Sequence, residues 1–295
     1  MNVARLLITG ISGFLGGKLA LSATDSFEVH GTCFQHQVDL PDCNTHQLDL
    51  TGPELETLLQ EIQPAVIIHT AACSSPALVA SNPEAARPLN LDVTRRLAVW
   101  CREHNSRLVF TSSDQVYDGS HGDWDEQVET HPINPYGCQK LAAERIIQQL
   151  LPELGLVLRV SLLLGPPAAG GSSFSEWILA RLRQQQMVPL YTDQIRSAIS
   201  GRTLAGGILR AIQSDLCGLF NAGGRQGVSR LEIGQTLAAV TAMSYSNLQA
   251  VEYAATEAAD GTAPLDISMN SERFWQAVGD NRGTLLEELT REYSK

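Results

Sequence analysis

Tyr136 and Lys140 stand four residues apart in the segment Pro135-Tyr136-Gly137-Cys138-Gln139-Lys140, a spacing that puts a phenol and an ammonium on one face of a helix. A free phenol has a pKa of about 10, so proton transfer near neutrality needs surroundings that favour its anion. A neighbouring lysine cation provides that, and so does the positive end of a helix. The helix start is signalled by Asn134, a good N-cap, and by Pro135 at the first helical position. Tyr136 then falls in the first turn, and the pair is read as general acid–base machinery with a lowered tyrosine pKa. A hydroxyl able to polarise a carbonyl completes the set. Arg107-Leu108-Val109-Phe110-Thr111-Ser112-Ser113-Asp114 reads as a strand ending in hydroxyls, with Ser113 as the best-placed donor and Asp114 as a candidate substrate contact. The three expected catalytic residues are Ser113, Tyr136 and Lys140.

A second constellation is Thr9-Gly10-Ile11-Ser12-Gly13-Phe14-Leu15-Gly16. It follows an apolar strand-like run and opens a helical pattern, the context in which a glycine-rich loop cradles a dinucleotide pyrophosphate. Gly10 permits the tight turn, Gly13 lets the backbone approach the phosphates, and Gly16 allows close packing of helix on strand. Phe14 and Leu15 lie in the same loop. The second strand runs into Gly31-Thr32-Cys33-Phe34-Gln35-His36, without the acidic residue that holds the ribose 2′-OH of NAD. NADP(H) is therefore expected over NAD(H). No arginine is present to meet the 2′-phosphate, so Lys18 or His36 would have to do so.

These residues need a frame. The first half alternates short apolar runs (residues 4–9, 27–33, 66–69, 107–111 and 156–160, with a weaker one at 45–48) with helix-length patterns at 13–23, 52–63, 83–105 and 135–150. Alternation of this kind predicts βαβ units and a parallel sheet. The fold class is α/β, a doubly wound parallel sheet (Rossmann fold) with a smaller C-terminal substrate-binding domain. Gly165-Pro166-Pro167-Ala168-Ala169-Gly170-Gly171 is a turn-rich break. It divides a dinucleotide-binding domain, 1–165, from a substrate-side domain, 166–295. In the latter, residues 173–186, 202–214 and 229–241 read as helices, and 215–230 carries a strand at 219–222 back to the main sheet.

Composition narrows the functions. The 295 residues carry a formal net charge of −11, which disfavours nucleic acid and anionic membrane as partners. No apolar run reaches the roughly 20 residues of a membrane span, and the N-terminus leads into a strand rather than a leader, so a cytoplasmic protein is expected. Six cysteines lack a Cys-x-x-Cys pair, which fits reduced thiols. Cys33/His36 and Cys43/His46 have a spacing met by chance, and no metal is expected. No Gly-x-Ser-x-Gly elbow marks a hydrolase. The expected partner is a small-molecule substrate, and a homodimer is compatible with this reading.

Further motifs are Gln47-Leu48-Asp49-Leu50, Ile68-His69-Thr70-Ala71-Ala72, Leu89-Asn90-Leu91-Asp92, Ser112-Ser113-Asp114-Gln115-Val116-Tyr117-Asp118-Gly119 and Leu158-Arg159. With the glycine loop and the Tyr136–Lys140 pair, they make most of the chain resemble the extended short-chain dehydrogenase/reductases, and within these the dTDP-4-dehydrorhamnose reductase group. The resemblance implies that Asp49 and Leu50 meet the adenine, that Thr70, Ala71 and Ala72 line the cofactor ribose and pyrophosphate, and that Asn90 supports the site from behind. It implies that Lys140 holds the nicotinamide ribose, Tyr136 passes a proton to the substrate oxygen, and Ser113 polarises the carbonyl of a nucleotide sugar. Dehydratases of the superfamily carry an Asp-Glu pair where this chain has Asp114-Gln115, and an amide cannot transfer that proton. The second half matches loosely, with Arg196 as a candidate diphosphate partner. Two alternatives to a 4-keto sugar reductase stay open: an NADP-binding regulatory subunit like that of methionine adenosyltransferase, and a nucleotide-sugar epimerase.

Overall fold

A computed structural model describes residues 3–170, 172–256 and 261–293. Gly171, at the end of the turn-rich break, and the first two residues lie outside the described residues. The first half runs β1 (Arg5–Thr9), α1 (Phe14–Ala23), β2 (Glu28–Cys33), β3 (Cys43–Gln47), α2 (Glu54–Ile62), β4 (Val66–His69), α3 (Pro76–Ser81), α4 (Pro83–Arg87), α5 (Val93–His104), β5 (Arg107–Ser113), α6 (Pro135–Leu150) and β6 (Gly155–Val160). The second half adds β7 (Leu163–Leu164), α7 (Phe174–Arg183), β8 (Val188–Tyr191), β9 (Ile195–Arg196), β10 (Ile199–Ser200), α8 (Gly201–Gln213), β11 (Gly218–Ala222), β12 (Val228–Ser229), α9 (Arg230–Val240), β13 (Leu248–Val251), α10 (Glu272–Val278) and α11 (Leu285–Tyr293).

Seven parallel strands form the central sheet in the order β11-β6-β5-β4-β1-β2-β3. The chain winds outward in both directions from β1 and β4, so their C-terminal ends flank a crevice where neither crossover closes over the sheet edge. Strand alternation sorts the core into two layers. Leu6, Ile8, Ile68, Val109 and Leu158 face α1, α8 and α10, with Leu19, Leu204, Ile208 and Trp275 packed against them. Leu7, Ile67, Leu108, Phe110 and Val157 face α2, α5 and α6, meeting Leu59, Leu97, Trp100 and Ile147. Both faces are covered, which is why these strands read as near-continuous apolar runs.

The remaining second-half elements enclose their own apolar cluster, in which Ile178 and Leu182 of α7, Ile233 and Leu237 of α9 and Leu289 of α11 are buried. Helix α8 packs on α1 and so belongs to the layer covering the sheet.

The pattern at 83–105 predicts one helix, but residues 88–92 form a π-helical turn between α4 and α5. The widened turn carries Asn90, whose Oδ1 accepts from the Cys73 amide at 2.8 Å and whose Nδ2 donates to the Cys73 carbonyl at 3.2 Å. A single side chain thereby satisfies both backbone groups of a residue in the loop after β4. π-Turns of this kind concentrate at functional sites because they re-aim one side chain without ending the helix.

Candidate active site

The C-terminal ends of β1, β4, β5 and β6 open into one cavity of about 860 Å³. Gly10, Gly13, Phe14, Leu15 and Gly16 line one part of it, together with Asp49, Leu50, Thr70, Ala71 and Ala72. Ser113, Asp114, Tyr136, Lys140 and Arg196 line the rest. Asn90 is placed behind this wall, where it also donates to Gln139 at 2.8 Å.

The glycine loop is shaped for an anion. Gly10 has φ +77°, and a side chain there would also press on the Ala71 backbone at 3.0 Å, so only glycine fits without strain. Gly13 caps α1 with no side-chain hydrogen bond, and the first turn holds no acidic residue. The amides at that helix end are free to meet phosphate oxygens. The neighbouring turn is pinned in place, since the Thr70 hydroxyl donates to the Thr9 carbonyl at 2.6 Å and the Ala71 amide donates to Thr9 Oγ1 at 3.2 Å. Below it, His69 bridges the hydroxyls of Thr9 and Thr94 at 2.7 and 3.2 Å. Burial, reinforced by the Lys140 charge, pushes this imidazole down to about 3, so it is a neutral structural bridge.

At the far end of β2, Cys33 and Phe34 line the cavity and Phe34 is exposed. Asp49 Oδ1 accepts from the Thr51 amide at 2.9 Å and the Thr51 hydroxyl at 2.7 Å, which fixes the loop after β3. Lys18 is not placed to meet a 2′-phosphate: its Nζ pairs with Glu292 at 2.9 Å, and it is not among the residues lining the cavity. His36 is exposed and outside the cavity lining. His46, half of one Cys/His spacing, pairs instead with the His30 ring at 3.0 Å.

Helix α6 delivers the acid–base pair as its cap predicts. Asn134 Oδ1 accepts from the Gly137 amide at 2.9 Å, with Pro135 in the first turn. Gly137 is required for a packing reason, since a Cβ there would lie 2.1 Å from the Gln115 carbonyl oxygen. The missing side chain lets α6 close on the segment after Ser113, and the Asn134 amide adds a bond to Gln115 Oε1 at 2.9 Å. Lys140 Nζ donates to the Thr111 carbonyl at 2.8 Å and lies 5.9 Å from the Tyr136 ring centre. One of three ammonium donors is thus engaged, leaving two for a ligand.

The electrostatics differ from the sequence expectation at Tyr136. Burial, joined by the Asp114 carboxylate, pushes its phenol up, and the opposing hydrogen bond from Ser113 is weaker. Desolvation of a buried phenolate outweighs the lysine and the helix end. The same burial pushes Lys140 down to about 8, against the pull of Glu144. Asp114 is also pushed up by burial, although it accepts from Ser113 at 3.1 Å and Ser161 at 2.9 Å. The arrangement therefore presents a neutral phenol as a proton donor.

Arg196 lies at the cavity but is largely engaged. Its guanidinium donates to the carbonyls of Ile195, Leu265 and Pro264 at 2.7, 2.8 and 3.0 Å. A second guanidinium, that of Arg230 at the start of α9, also lines the cavity. Sequence reasoning missed it. The Ser229–Glu232 capping box that starts α9 was readable, but not the docking of that helix end at the cavity. Glu144 was missed as well. It is fully buried on α6, one turn beyond Lys140, and takes Ser112 Oγ at 2.5 Å and Arg159 Nη2 at 2.8 Å.

A Rossmann sheet with a glycine loop and a Ser–Tyr–Lys set at one cavity defines a protein of the short-chain dehydrogenase/reductase class. The model of the family described as RmlD substrate binding domain matches residues 4–291, and the chain belongs to that family. It is 28% identical over 239 residues to the probable low-salt glycan biosynthesis reductase Agl14 of Haloferax volcanii, covering 79% of each chain. It is 35% identical over 162 residues to the methionine adenosyltransferase 2 subunit beta of Xenopus laevis, covering 55% of this chain and 47% of that subunit. Among solved structures, the dTDP-4-dehydrorhamnose reductase of Bacillus anthracis in complex with NADP superposes with a TM-score of 0.84 at 23% identity, covering 99% of this chain and 98% of that one.

Proposed function

We propose that this protein is an NADPH-dependent reductase of a keto group on a nucleotide sugar, of the 4-keto-6-deoxy type or a related carbonyl compound. The observation that carries the reading is the meeting of the unshielded α1 amides, Ser113, Tyr136 and Lys140 at a single cavity. The site residues fit a dinucleotide: the α1 amides suit its pyrophosphate, Asp49 and Leu50 its adenosine end, and the two remaining Lys140 donors its nicotinamide ribose hydroxyls. The lack of an acid at Phe34 favours NADPH, because no carboxylate repels a 2′-phosphate there. When bound, NADPH supplies the hydride that reduces the carbonyl carbon.

The chain's own residues do the rest. The Ser113 hydroxyl donates to the substrate carbonyl oxygen and draws electron density from its carbon. As negative charge gathers on that oxygen, Tyr136 gives up its phenolic proton. A phenol held above its ordinary pKa is a poor base but stays protonated until an alkoxide, a stronger base, forms beside it. The Lys140 ammonium then stabilises the phenolate left behind, and a proton from solvent restores it. Gln115 cannot act as the additional acid or base of a dehydration. Reduction is therefore favoured over dehydration.

The test is absorbance of the nicotinamide band with dTDP-4-keto-6-deoxyglucose as substrate. Turnover by the native chain and a loss of about 10²–10⁴-fold in kcat for Tyr136→Phe are expected, the range for removing a general acid. Tight NADPH binding with no turnover of any carbonyl probe would refute the reductase reading and return weight to a regulatory subunit.

A further inference from the structure

Gln139 lies on α6 between Tyr136 and Lys140, yet it does not line the cavity. Its side chain joins two other elements instead. Nε2 donates to the carbonyl of Pro83, at the start of α4, at 2.8 Å, and Oε1 accepts from Asn90 Nδ2 in the π-helical turn, also at 2.8 Å. Neither amide can be reversed. The Pro83 carbonyl only accepts, so the nitrogen of Gln139 must face it and the oxygen must face Asn90. Asn90 then donates to that oxygen and keeps its own Oδ1 for the Cys73 amide, at 2.8 Å, while Nδ2 also meets the Cys73 carbonyl at 3.2 Å. Two side-chain amides thus tie α6 to the start of α4, to the π-turn and to the loop after β4.

Those elements also form the seat of the phenol. The Tyr136 ring is buried against Val79 of α3, Ala86 of α4 and Cys73. The two helices are only six and five residues long, well below the roughly 12 at which a helix begins to hold by itself, so their position depends on what they are tied to. Ala85 of α4 and Pro88 and Leu89 of the π-turn continue the seat into the cavity wall. The cofactor side of the cavity is fastened separately, since Thr70 and Ala71 bond to Thr9 of β1. Gln139 therefore bears on the wall around Tyr136 and not on the glycine loop.

We propose that Gln139 is a positioning residue for the proton donor: by clamping α4, the π-turn and the loop after β4 to α6, it holds the Tyr136 ring in place for its hydroxyl to meet the substrate oxygen. The inference rests on the reductase reading of the same cavity. Gln139 acts only through Tyr136. A reacting group displaced by about 1 Å can lose about 10²-fold in rate, so a slackened seat costs turnover even though the phenol is still present.

Turnover of dTDP-4-keto-6-deoxyglucose in native and Tyr136→Phe backgrounds tests this. Gln139→Met, similar in length but without the amide, lowers kcat about tenfold in the native background. Beside Tyr136→Phe it costs less than about twofold, because a residue that acts through the phenol then has nothing left to place. NADPH affinity stays within about twofold of the parent chain, since the cofactor contacts are held independently. Gln139→Glu, which keeps the acceptor for Asn90 and gives up only the donor to Pro83, recovers part of the rate, and it carries the comparison alone if the methionine variant fails to bind NADPH. Equal losses in the two backgrounds, or an undiminished kcat, overturn the proposal. The clamp is also read without turnover by amide hydrogen exchange, in which peptides covering residues 73–92 exchange about fivefold faster or more in Gln139→Met while those of the glycine loop do not. Unchanged exchange at 73–92 overturns the proposal as well. Faster exchange there, in a chain that reduces no carbonyl probe, would sink the reductase reading and leave the clamp in place.

Discussion

Lys140 is subject to two opposed demands. The role proposed for it, at a ribose and beside Tyr136, uses the charged form, while burial pushes the ammonium down to about 8. The charge is present below that value and is lost as pH rises through it. The kcat of the native enzyme should therefore fall above about pH 8, read from a pH–rate profile, and Lys140→Arg should shift any residual activity's falling limb to higher pH, since guanidinium stays charged. Stability should move the other way. Between about pH 8 and 10.5 the unfolded chain binds more protons than the folded one, so folding stability gains with pH across that window, and Lys140→Met should abolish that gain. A falling limb that is unchanged in Lys140→Arg would assign it to another group. The spacing of Tyr136 and Lys140 was legible because four residues on a helix share a face. The direction of the tyrosine shift was not, because desolvation depends on what covers a side chain, and Asp114 reaches Tyr136 only through the meeting of two distant segments.

At the scale of elements, α6 carries the site and is held to the sheet by a buried charge cluster. Glu144 accepts from Ser112 at the end of β5 and from Arg159 in β6, and Arg159 Nη1 donates to the Tyr117 hydroxyl at 2.9 Å. The Tyr117 hydroxyl in turn donates to Asn221 of β11 at 2.8 Å. One helix and three strands therefore meet through polar groups that have no access to water. Glu144→Gln keeps the shape but leaves the Arg159 charge uncompensated, and should cost about 3–5 kcal/mol in denaturant titration. Replacing both residues by apolar ones of similar volume should restore much of this loss, which separates a buried-charge penalty from a packing defect. The sequence reading of α6 as a capped amphipathic helix needed only local signals, Asn134 and Pro135. The break in the predicted 83–105 helix was hidden because Asn90 distorts the turn to reach Cys73, a partner seventeen residues away in sequence.

Over the whole molecule, the last helix locks the first. Glu292 of α11 is buried, with Oε2 on Lys18 of α1 at 2.9 Å and Oε1 accepting from the Arg202 amide at 3.0 Å. Glu288 accepts from the Gly283 amide at 2.7 Å and the Ser200 amide at 3.3 Å. The start of α8 and the helix behind the glycine loop thus depend on the C-terminal residues. Glu292→Gln removes the charge opposite a largely buried lysine and should cost about 2–3 kcal/mol, seen as a Tm lower by several degrees. An unchanged Tm would show that Lys18 finds water or another acceptor.

By itself, the sequence determined what depends on local or periodic chemistry. Alternating apolar runs specified a parallel sheet with helices on both faces, the glycine spacing after β1 specified an anion loop, and the Asn134–Pro135 cap set the phase of Tyr136 and Lys140. Only the tertiary structure decided which charges share a cavity. It assigned Lys18 to Glu292 instead of a phosphate, engaged Arg196 on carbonyls, and brought Arg230 into the lining of the same cavity. Helix and strand patterns repeat over a few residues and can be read along the chain. Pairings between side chains far apart in sequence, and the desolvation that sets their charge, arise only when the folded surfaces close on one another.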